Sequence, residues 1–174
     1  MSVPPSPCSR DFRSTIVIRL RAAGCVFAED EAPLLMSAAG TATNLAALVE
    51  RRAAGEPLEH ILGWTEFCGL RMAVTPGVFV PRRRTEFLVR QAAALVRRAP
   101  QPPVVVVDLC CGSGAVCVAL VEALGGVELH AVDIDPAAVQ CARRNVTPAG
   151  GQVYQVTSTS RCPPRCRGTS TSWS

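Results

Sequence analysis

The sequence predicts an α/β fold, built as the first half of a doubly wound, Rossmann-like parallel sheet. Residues 104–109 form a continuous apolar run of β-branched residues, which is typical of a strand buried on both faces. A turn of small residues, 110–114, separates this run from a helical pattern over 115–124. A second strand pattern, 128–133, follows the glycines that stop this helix. The order of strand, turn, helix and strand predicts a parallel βαβ unit.

The rest of the chain divides by its composition and periodicity. Helical spacing with glycine stops predicts a small helical domain, and extended stretches around Gly69 predict a β-hairpin link. A further helix, a second βαβ step through Pro136 and a strand at Val153-Tyr154 complete a partial α/β domain. Both ends are rich in Ser, Thr or Pro and are predicted to be disordered. The predicted segments are 1–13 (disordered), 14–63 (helical), 64–81 (hairpin link), 82–155 (partial α/β domain) and 156–174 (disordered).

Composition excludes several classes of protein. Apolar residues make up 48% of the chain, which excludes disorder throughout, and no apolar run approaches the ~20 residues needed for a membrane span. The net charge is +4 and every basic residue is Arg, in small clusters that we interpret as solvated surface, so nucleic-acid binding is not expected. Nine cysteines without a secretory signal indicate reduced thiols and a cytoplasmic location.

A motif for a nucleotide-type cofactor lies between the first buried strand and its helix. The pattern Asp108-x-x-x-Gly112-x-Gly114 offers glycines for a sharp turn and free N–H groups at the helix start. Asp133 ends the next strand about 20 residues later, where a carboxylate can meet a ribose diol. The loop reads Cys-Cys-Gly-Ser-Gly rather than Gly-x-Gly-x-x-Gly, which disfavours NAD. A dinucleotide site of another type and an empty α/β core remain alternatives.

Longer motifs surround this pattern. They include Gly-Glu-Pro-Leu at 55–58, Glu-Phe-Cys-Gly-Leu at 66–70 and Pro-Gly-Val-Phe-Val-Pro-Arg at 76–82. Asp-Leu-Cys-Cys-Gly-Ser-Gly-Ala at 108–115 and Ala-Val-Asp-Ile-Asp-Pro at 131–136 follow. Together these motifs resemble the N5-glutamine methyltransferases that modify peptide chain release factors. The resemblance runs from about residue 15 to about residue 155.

This resemblance implies an S-adenosyl-L-methionine-dependent methyltransferase sheet, incomplete here, behind a helical substrate-recognition domain. It implies a protein substrate, a peptide chain release factor, and a protein-glutamine methyltransferase activity without a metal. Residues 110–114 would line the methionine part of the cofactor, and Asp133 would bind its ribose hydroxyls. The cofactor-binding residues would be Asp108, Cys110, Cys111, Gly112, Ser113, Gly114, Asp133 and Ile134, and the substrate-side residues would be Phe79, Pro81 and Arg82.

The sequence departs from this family at three places. Cys110 stands where the family has its first loop glycine, so its Cβ is expected to crowd the cofactor or to oppose a left-handed backbone. Arg83-Arg84 replaces a proline and an acidic residue. No Asn-Pro-Pro-Tyr motif, which holds the acceptor amide in the family, follows Tyr154, so no catalytic residue is assigned.

The missing motif predicts that methyl transfer by this chain is impaired. We hypothesise that one base was lost near Gln155, so that 156–174 is read out of frame. One alternative is a truncated, inactive fragment that retains only partner or cofactor binding. Another is a relative of the N6-adenine DNA methyltransferases, which flip their target base.

Two features are expected to have no catalytic role. His60 and His130 are isolated in the sequence, and His130 is expected at the surface or edge of the second strand. Cys162 and Cys166 have no second ligand pair at zinc-finger spacing, so no metal site is predicted.

Overall fold

The computed structural model of the chain describes residues 7–98 and 104–156, with side chains from residue 12 onward. The predictions for residues 1–6 and 157–174, including the out-of-frame segment and Cys162 and Cys166, lie outside the described residues. The chain divides into two compact units. We call residues 1–64 the helical unit and residues 65–174 the sheet unit.

The helical unit contains four helices, α1 (Pro7–Ala22), α2 (Ala28–Ala38), α3 (Ala42–Ala53) and α4 (Leu58–Leu62), among its described residues. Their apolar faces meet in one core, in which Leu20, Ala28, Ala32 and Leu35 are fully buried.

The predicted start of the helical region at residue 14 is wrong, because α1 begins at Pro7. Residues 7–13 are therefore helical and not disordered. The fixed φ angle of proline suits the first turn of a helix, where its missing N–H costs nothing. The Pro-rich and Ser-rich composition of this segment had concealed that signal.

The predicted hairpin is formed by β1 (Trp64–Phe67) and β2 (Leu70–Ala73), and all of it after Trp64 belongs to the sheet unit. The two-residue turn between them places both Cys68 (φ 52°) and Gly69 (φ 75°) in the left-handed region, as a tight hairpin turn requires. The Cys68 amide donates a hydrogen bond to Oε1 of Glu86 at 3.2 Å. A short 3₁₀ turn (Arg83–Thr85) then leads into α5 (Glu86–Arg98).

The three-stranded parallel sheet of this unit has the strand order β3-β4-β5. Its strands are β3 (Val105–Leu109), β4 (Glu128–Asp133) and β5 (Gln152–Gln155). The crossover helices are α6 (Ala115–Leu124) and α7 (Pro136–Val146). Asp108 lies opposite Ala131, and Ala131 lies opposite Val153. The predicted α/β fold with a partial parallel sheet is confirmed.

The two faces of this sheet differ in burial. Leu129 and Ala131 pack against α6 and α7, with Val106 beside them. On the opposite face, Val105 and Leu109 are 49% and 68% exposed, so the expectation that residues 104–109 are buried on both faces is wrong. The strand order follows the chain order, and right-handed crossovers then place both helices on one side of the sheet.

None of the described helices is both long enough and apolar enough to cross a bilayer. The thiols of Cys25, Cys68, Cys110, Cys111, Cys117 and Cys141 are free.

Candidate cofactor site at the carboxyl ends of β3 and β4

A cavity of about 520 Å³ opens where β3 and β4 end. This volume lies within the range of about 300–1,000 Å³ that is usual for small-molecule sites. We call it the β3–β4 cavity. Its lining comes from the segment after the hairpin, the start of α5, the ends of β3 and β4, and the loops and helix starts that follow these two strands. The lining residues are Gly77, Val78, Phe79, Pro81, Thr85, Leu88, Asp108, Leu109, Cys110, Cys111, Gly112, Ser113, Ala115, Val116, Asp133, Asp135 and Ala138.

The structure brings most of the predicted site residues to this cavity. Three of them lie apart from its lining. Gly114 begins α6, Ile134 is 61% exposed beside Asp133, and the Arg82 guanidinium stacks over the ring of Phe79 at 5.6 Å. The predicted residues that do line the cavity are Phe79, Pro81, Asp108, Cys110, Cys111, Gly112, Ser113 and Asp133.

Asp133 is a polar group of the cavity wall that two main-chain hydrogen bonds hold in place. The side chain is buried, and neutral main-chain groups hold its carboxylate. The Gly112 amide donates to Oδ2 at 2.8 Å, and the Asp135 amide donates to Oδ1 at 3.0 Å. A carboxylate offers about four acceptor positions, so each oxygen keeps capacity for a further donor.

The loop after β3, residues 110–114, has an unusual backbone. Cys110 (φ 60°), Gly112 (φ 56°) and Gly114 (φ 75°) all occupy the left-handed region. For Cys110 this conformation carries a strain of roughly 1–2 kcal/mol, because its Cβ approaches the following carbonyl. The sequence correctly identified this conflict, and the structure resolves it by accepting the strain and leaving the Cys110 side chain exposed.

Gly114 is required by a close approach between α6 and α7. A Cβ at this position would lie 2.5 Å from Cγ2 of Val146 and 3.4 Å from Cβ of Ala142. Contacts below about 3 Å are severe overlaps, so a larger residue would push α7 away from the loop. Gly114 therefore sets the packing behind the cavity rather than its lining.

Two buried cysteines, Cys111 of the loop and Cys117 of α6, lie near the half-buried carboxyl of Asp108. The Cys117 thiol donates to Oδ2 of Asp108 at 3.3 Å. Burial raises the pKa of the Asp108 carboxyl, and the charge of Asp133 adds to this effect, while the Cys117 hydrogen bond opposes it. Burial and the charges of Asp108 and Asp133 raise the pKa of Cys111 to about 12, and burial also raises the pKa of Cys117. These two thiols stay protonated at neutral pH and do not act as nucleophiles.

Asn145 on α7 is a site-supporting residue that sequence reasoning missed. Its Nδ2 donates to the Ser113 carbonyl at 2.8 Å and to the Ala73 carbonyl at 2.9 Å. Its Oδ1 accepts from the Ala73 amide at 2.8 Å. The available signal was a polar residue four positions after Cys141, on the buried face of α7, where a side-chain amide needs partners.

His130 is a correction to the sequence analysis. It was expected at the surface, but it is only 3% exposed and does not line the cavity. Its Nε2 lies 3.0 Å from Oε1 of Glu128, and its Nδ1 lies 3.1 Å from the Tyr154 hydroxyl, which donates to Oε1 of Gln152. The neighbouring strand β5 brings the Tyr154 ring against the imidazole, with 5.7 Å between ring centroids.

Comparisons with known proteins identify similar methyltransferases. Residues 106–164 match the family model described as a methyltransferase domain. The release factor glutamine methyltransferase of Geobacter sulfurreducens is 44% identical over 61% of this chain and 36% of its own length. That of Corynebacterium glutamicum is 46% identical over 63% of this chain and 39% of its own length. A 4-amino-L-phenylalanine/4-methylamino-L-phenylalanine methyltransferase of Streptomyces pristinaespiralis is 40% identical over 62% of this chain and 38% of its own length.

These similarities confirm the predicted resemblance to release factor glutamine methyltransferases and the methyltransferase fold. The chain spans less than half the length of these curated relatives, between 36% and 39%. The match to the family model ends at residue 164, inside the segment 156–174.

Proposed function

We propose that this chain provides the cofactor-binding half of an S-adenosyl-L-methionine-dependent methyltransferase that acts on a glutamine side-chain amide of a protein. The observation that carries the proposal is the Asp133 carboxylate, held by the amides of Gly112 and Asp135 at the wall of the β3–β4 cavity. The similarity to release factor glutamine methyltransferases supports a peptide chain release factor as the substrate.

The charge of the cavity lining fits this cofactor. Three carboxylates, Asp108, Asp133 and Asp135, line the cavity, and its lining residues include no arginine. S-adenosyl-L-methionine carries a sulfonium and an ammonium group, both of which an acidic lining attracts. The same lining repels the pyrophosphate of a dinucleotide, which supports the expectation that NAD does not bind.

Different residues of the cavity would bind different parts of the cofactor. The two Asp133 oxygens, each with one main-chain donor already in place, would accept the ribose hydroxyls. The loop 110–114 would follow the methionine part, with the Cys110 side chain exposed beside it. Asp108, behind the loop, would face the positive charges of the cofactor, and Ile134 would contact its apolar surface.

The acceptor would approach from the segment after the hairpin. The bound cofactor supplies an electrophilic methyl group, so the protein's contribution is alignment and exclusion of water. Phe79 and Pro81 line the cavity, and Arg82 stacks on Phe79, so these three residues would form the substrate side. We assign no catalytic residue among those that the structure describes.

A second candidate acceptor is an aromatic amino acid. The Streptomyces pristinaespiralis relative, named for 4-amino-L-phenylalanine, is nearly as similar to this chain as the release factor enzymes are. Phe79 is 67% exposed at the cavity and offers a surface for a substrate ring. The acceptor assay below distinguishes the two candidates.

Calorimetric titration tests the cofactor assignment. We expect S-adenosyl-L-methionine to bind the full chain, NAD to show no heat of binding, and Asp133→Ala to weaken binding about 30-fold or more through two lost charged hydrogen bonds. Glu122→Gln is the matched control, since it removes an exposed carboxylate on α6 outside the cavity lining. Equal affinity of the Asp133→Ala and Glu122→Gln variants would contradict the proposal.

Transfer of a labelled methyl group then tests the acceptor. We expect label on a release factor, at a low rate because no acceptor-holding motif follows Tyr154, and not on 4-amino-L-phenylalanine or adenine-containing DNA. Label on the amino acid favours the second candidate, and label on DNA favours the adenine methyltransferase alternative. Cofactor binding without transfer to any acceptor identifies the chain as a cofactor-binding fragment. A cytoplasmic location, where translation terminates, belongs to the same proposal.

A further inference from the structure

Asn145 connects two segments that are distant in sequence. Its amide group makes three hydrogen bonds, two with the main chain of Ala73 and one with the Ser113 carbonyl. Ala73 is the last residue of β2, and Ser113 belongs to the loop after β3. Since Oδ1 receives an N–H and Nδ2 faces two carbonyls, the hydrogen bonds determine the orientation of the amide.

The loop that Asn145 contacts is held in an unfavourable conformation. The strain lies at Cys110, whose φ is 60°, because a left-handed backbone at a residue with a Cβ persists only when surrounding contacts over-determine it; Gly112 and Gly114 adopt their positive φ angles without that cost. Main-chain bonds hold parts of the loop: the Cys111 amide donates to the Val132 carbonyl at 3.1 Å, and the Gly114 amide donates to the Cys111 carbonyl at 2.8 Å. Asn145 adds a side-chain anchor at the intervening Ser113 carbonyl.

A neighbouring residue shares one of these contacts but not the other. Cys141, one helical turn earlier on α7, is fully buried, and its thiol donates to the Ala73 carbonyl at 3.3 Å. Cys141 therefore helps to attach the hairpin to α7, as Asn145 does, but this hydrogen bond does not involve the loop. Comparing variants of Asn145 and Cys141 therefore distinguishes the effect of the contact with the loop from the effect of the contact with the hairpin.

We propose that Asn145 is a positioning residue for cofactor binding, which holds the Ser113 carbonyl and so keeps the loop 110–114 in its binding conformation. This inference rests on the proposed function. Without the anchor, the loop samples other conformations, and the cofactor must order it on binding, which lowers affinity. Asn145 is not itself a lining residue of the cavity, and it acts through Ser113, which is one.

Two measurements on the full chain test the proposal. Hydrogen exchange without ligand is expected to show that Asn145→Ala speeds exchange of the Gly112 and Gly114 amides at least about tenfold more than that of Ala131 in β4. Calorimetry is expected to show about tenfold weaker binding of S-adenosyl-L-methionine. Cys141→Ala, the matched control, is expected to leave loop exchange unchanged relative to Ala131 and the affinity within about twofold.

A second variant covers the case in which Asn145→Ala does not fold. Asn145→Asp keeps the acceptor for the Ala73 amide but loses donation to Ser113, and it is expected to show the same loop-specific exchange. Uniform acceleration of loop and β4 amides, or equal effects of the Asn145 and Cys141 variants, would overturn the proposal. If the unaltered chain binds no S-adenosyl-L-methionine, the proposed function fails, and loop exchange still decides whether Asn145 anchors the loop.

Discussion

Acidic side chains of the helical unit and acidic side chains of the β3–β4 cavity have different partners. In the helical unit, Glu29, Glu31, Glu50 and Glu56 each form an ion pair with an arginine. Around the β3–β4 cavity of the sheet unit, Asp133 accepts from main-chain amides and Asp108 accepts from a thiol. A carboxylate held by neutral donors keeps its charge available to a ligand, whereas a carboxylate paired with arginine does not.

Glycines show a similar difference. In the helical unit, a Cβ at Gly24 or Gly55 would meet no atom within 4 Å, so these residues serve the backbone conformation alone. In the sheet unit, Gly114 and Gly151 also lie against side chains, Val146 in both cases. In the helical unit these glutamates are paired with arginines and these glycines serve the backbone alone, whereas in the sheet unit Asp108 and Asp133 line the cavity and Gly114 and Gly151 allow close packing against Val146.

The largest expected effect concerns the packing of Gly114. Gly114→Ala combines a positive φ angle with a contact of 2.5 Å, so we expect the free energy of unfolding of the sheet unit to fall by about 3 kcal/mol. Urea denaturation measures this change. Gly150→Ala, at φ +85° with no atom within 4 Å, is the control and should cost about 1 kcal/mol. Equal losses would show that the close approach is unimportant.

Thiol reactivity tests the uncompensated charge of the cavity. Because the pKa of Cys111 is raised to about 12, we expect iodoacetamide at about pH 8 to alkylate it at least about 100-fold more slowly than the exposed Cys110. Peptide mass spectrometry of the Cys110→Ser and Cys111→Ser variants separates the two rates. Asp133→Asn should accelerate alkylation of Cys111, and similar rates for both thiols would contradict the assigned environment.

A smaller effect is expected from the least exposed ion pair of the helical unit. The side chains of Arg52 and Glu31 are 20% and 10% exposed, and Arg52→Leu leaves the Glu31 carboxylate without its cation. We expect the free energy of unfolding to fall by about 2 kcal/mol. Arg19→Leu, whose pair with Glu50 is 47% and 62% exposed, should cost clearly less in the same denaturation experiment. A larger loss of unfolding free energy for Arg19→Leu than for Arg52→Leu would contradict this prediction.

The smallest expected effect is a pH dependence of opposite sign in the two units. The raised pKa of Asp108 means that the folded chain keeps a proton that the unfolded chain loses, so the sheet unit loses stability as pH rises above about 3.8. Arginine hydrogen bonds lower the pKa values of Glu29, Glu50 and Glu56, so the helical unit loses stability as pH falls below about 4.5.

Amide exchange at Ala131 and Leu20, measured between about pH 3 and pH 8 and corrected for intrinsic rates, reports the two units separately. Asp108→Asn should flatten the profile of the sheet unit, and Glu50→Gln should reduce the slope of the helical unit. If the stability of both units changed with pH in the same direction, the contrast between the two units would be contradicted.

Much of the fold and of the site was accessible from the sequence because its signals are local. Each signal lies in or next to the element that it predicts: the apolar run 104–109 predicts a strand, the small residues 110–114 a loop, and Pro136 the start of a helix. The helix start predicted at residue 14 lies at Pro7, because proline suits the first turn of a helix even within a Pro-rich and Ser-rich segment. Asp133 was predicted as a cofactor-site residue from its position at the end of the second strand and from the resemblance, and it lines the cavity.

Other features depend on which elements become neighbours. Asn145 meets Ala73 across 72 residues, and His130 is covered by Tyr154 only because β5 pairs with β4. The exposed face of β3 follows from two helices that cross on the same side of the sheet. Periodicity along a chain reports how each segment divides its polar and apolar sides, so it predicts elements and a loop motif. It holds no information on which distant groups come into contact, because those contacts arise from the packing of whole elements.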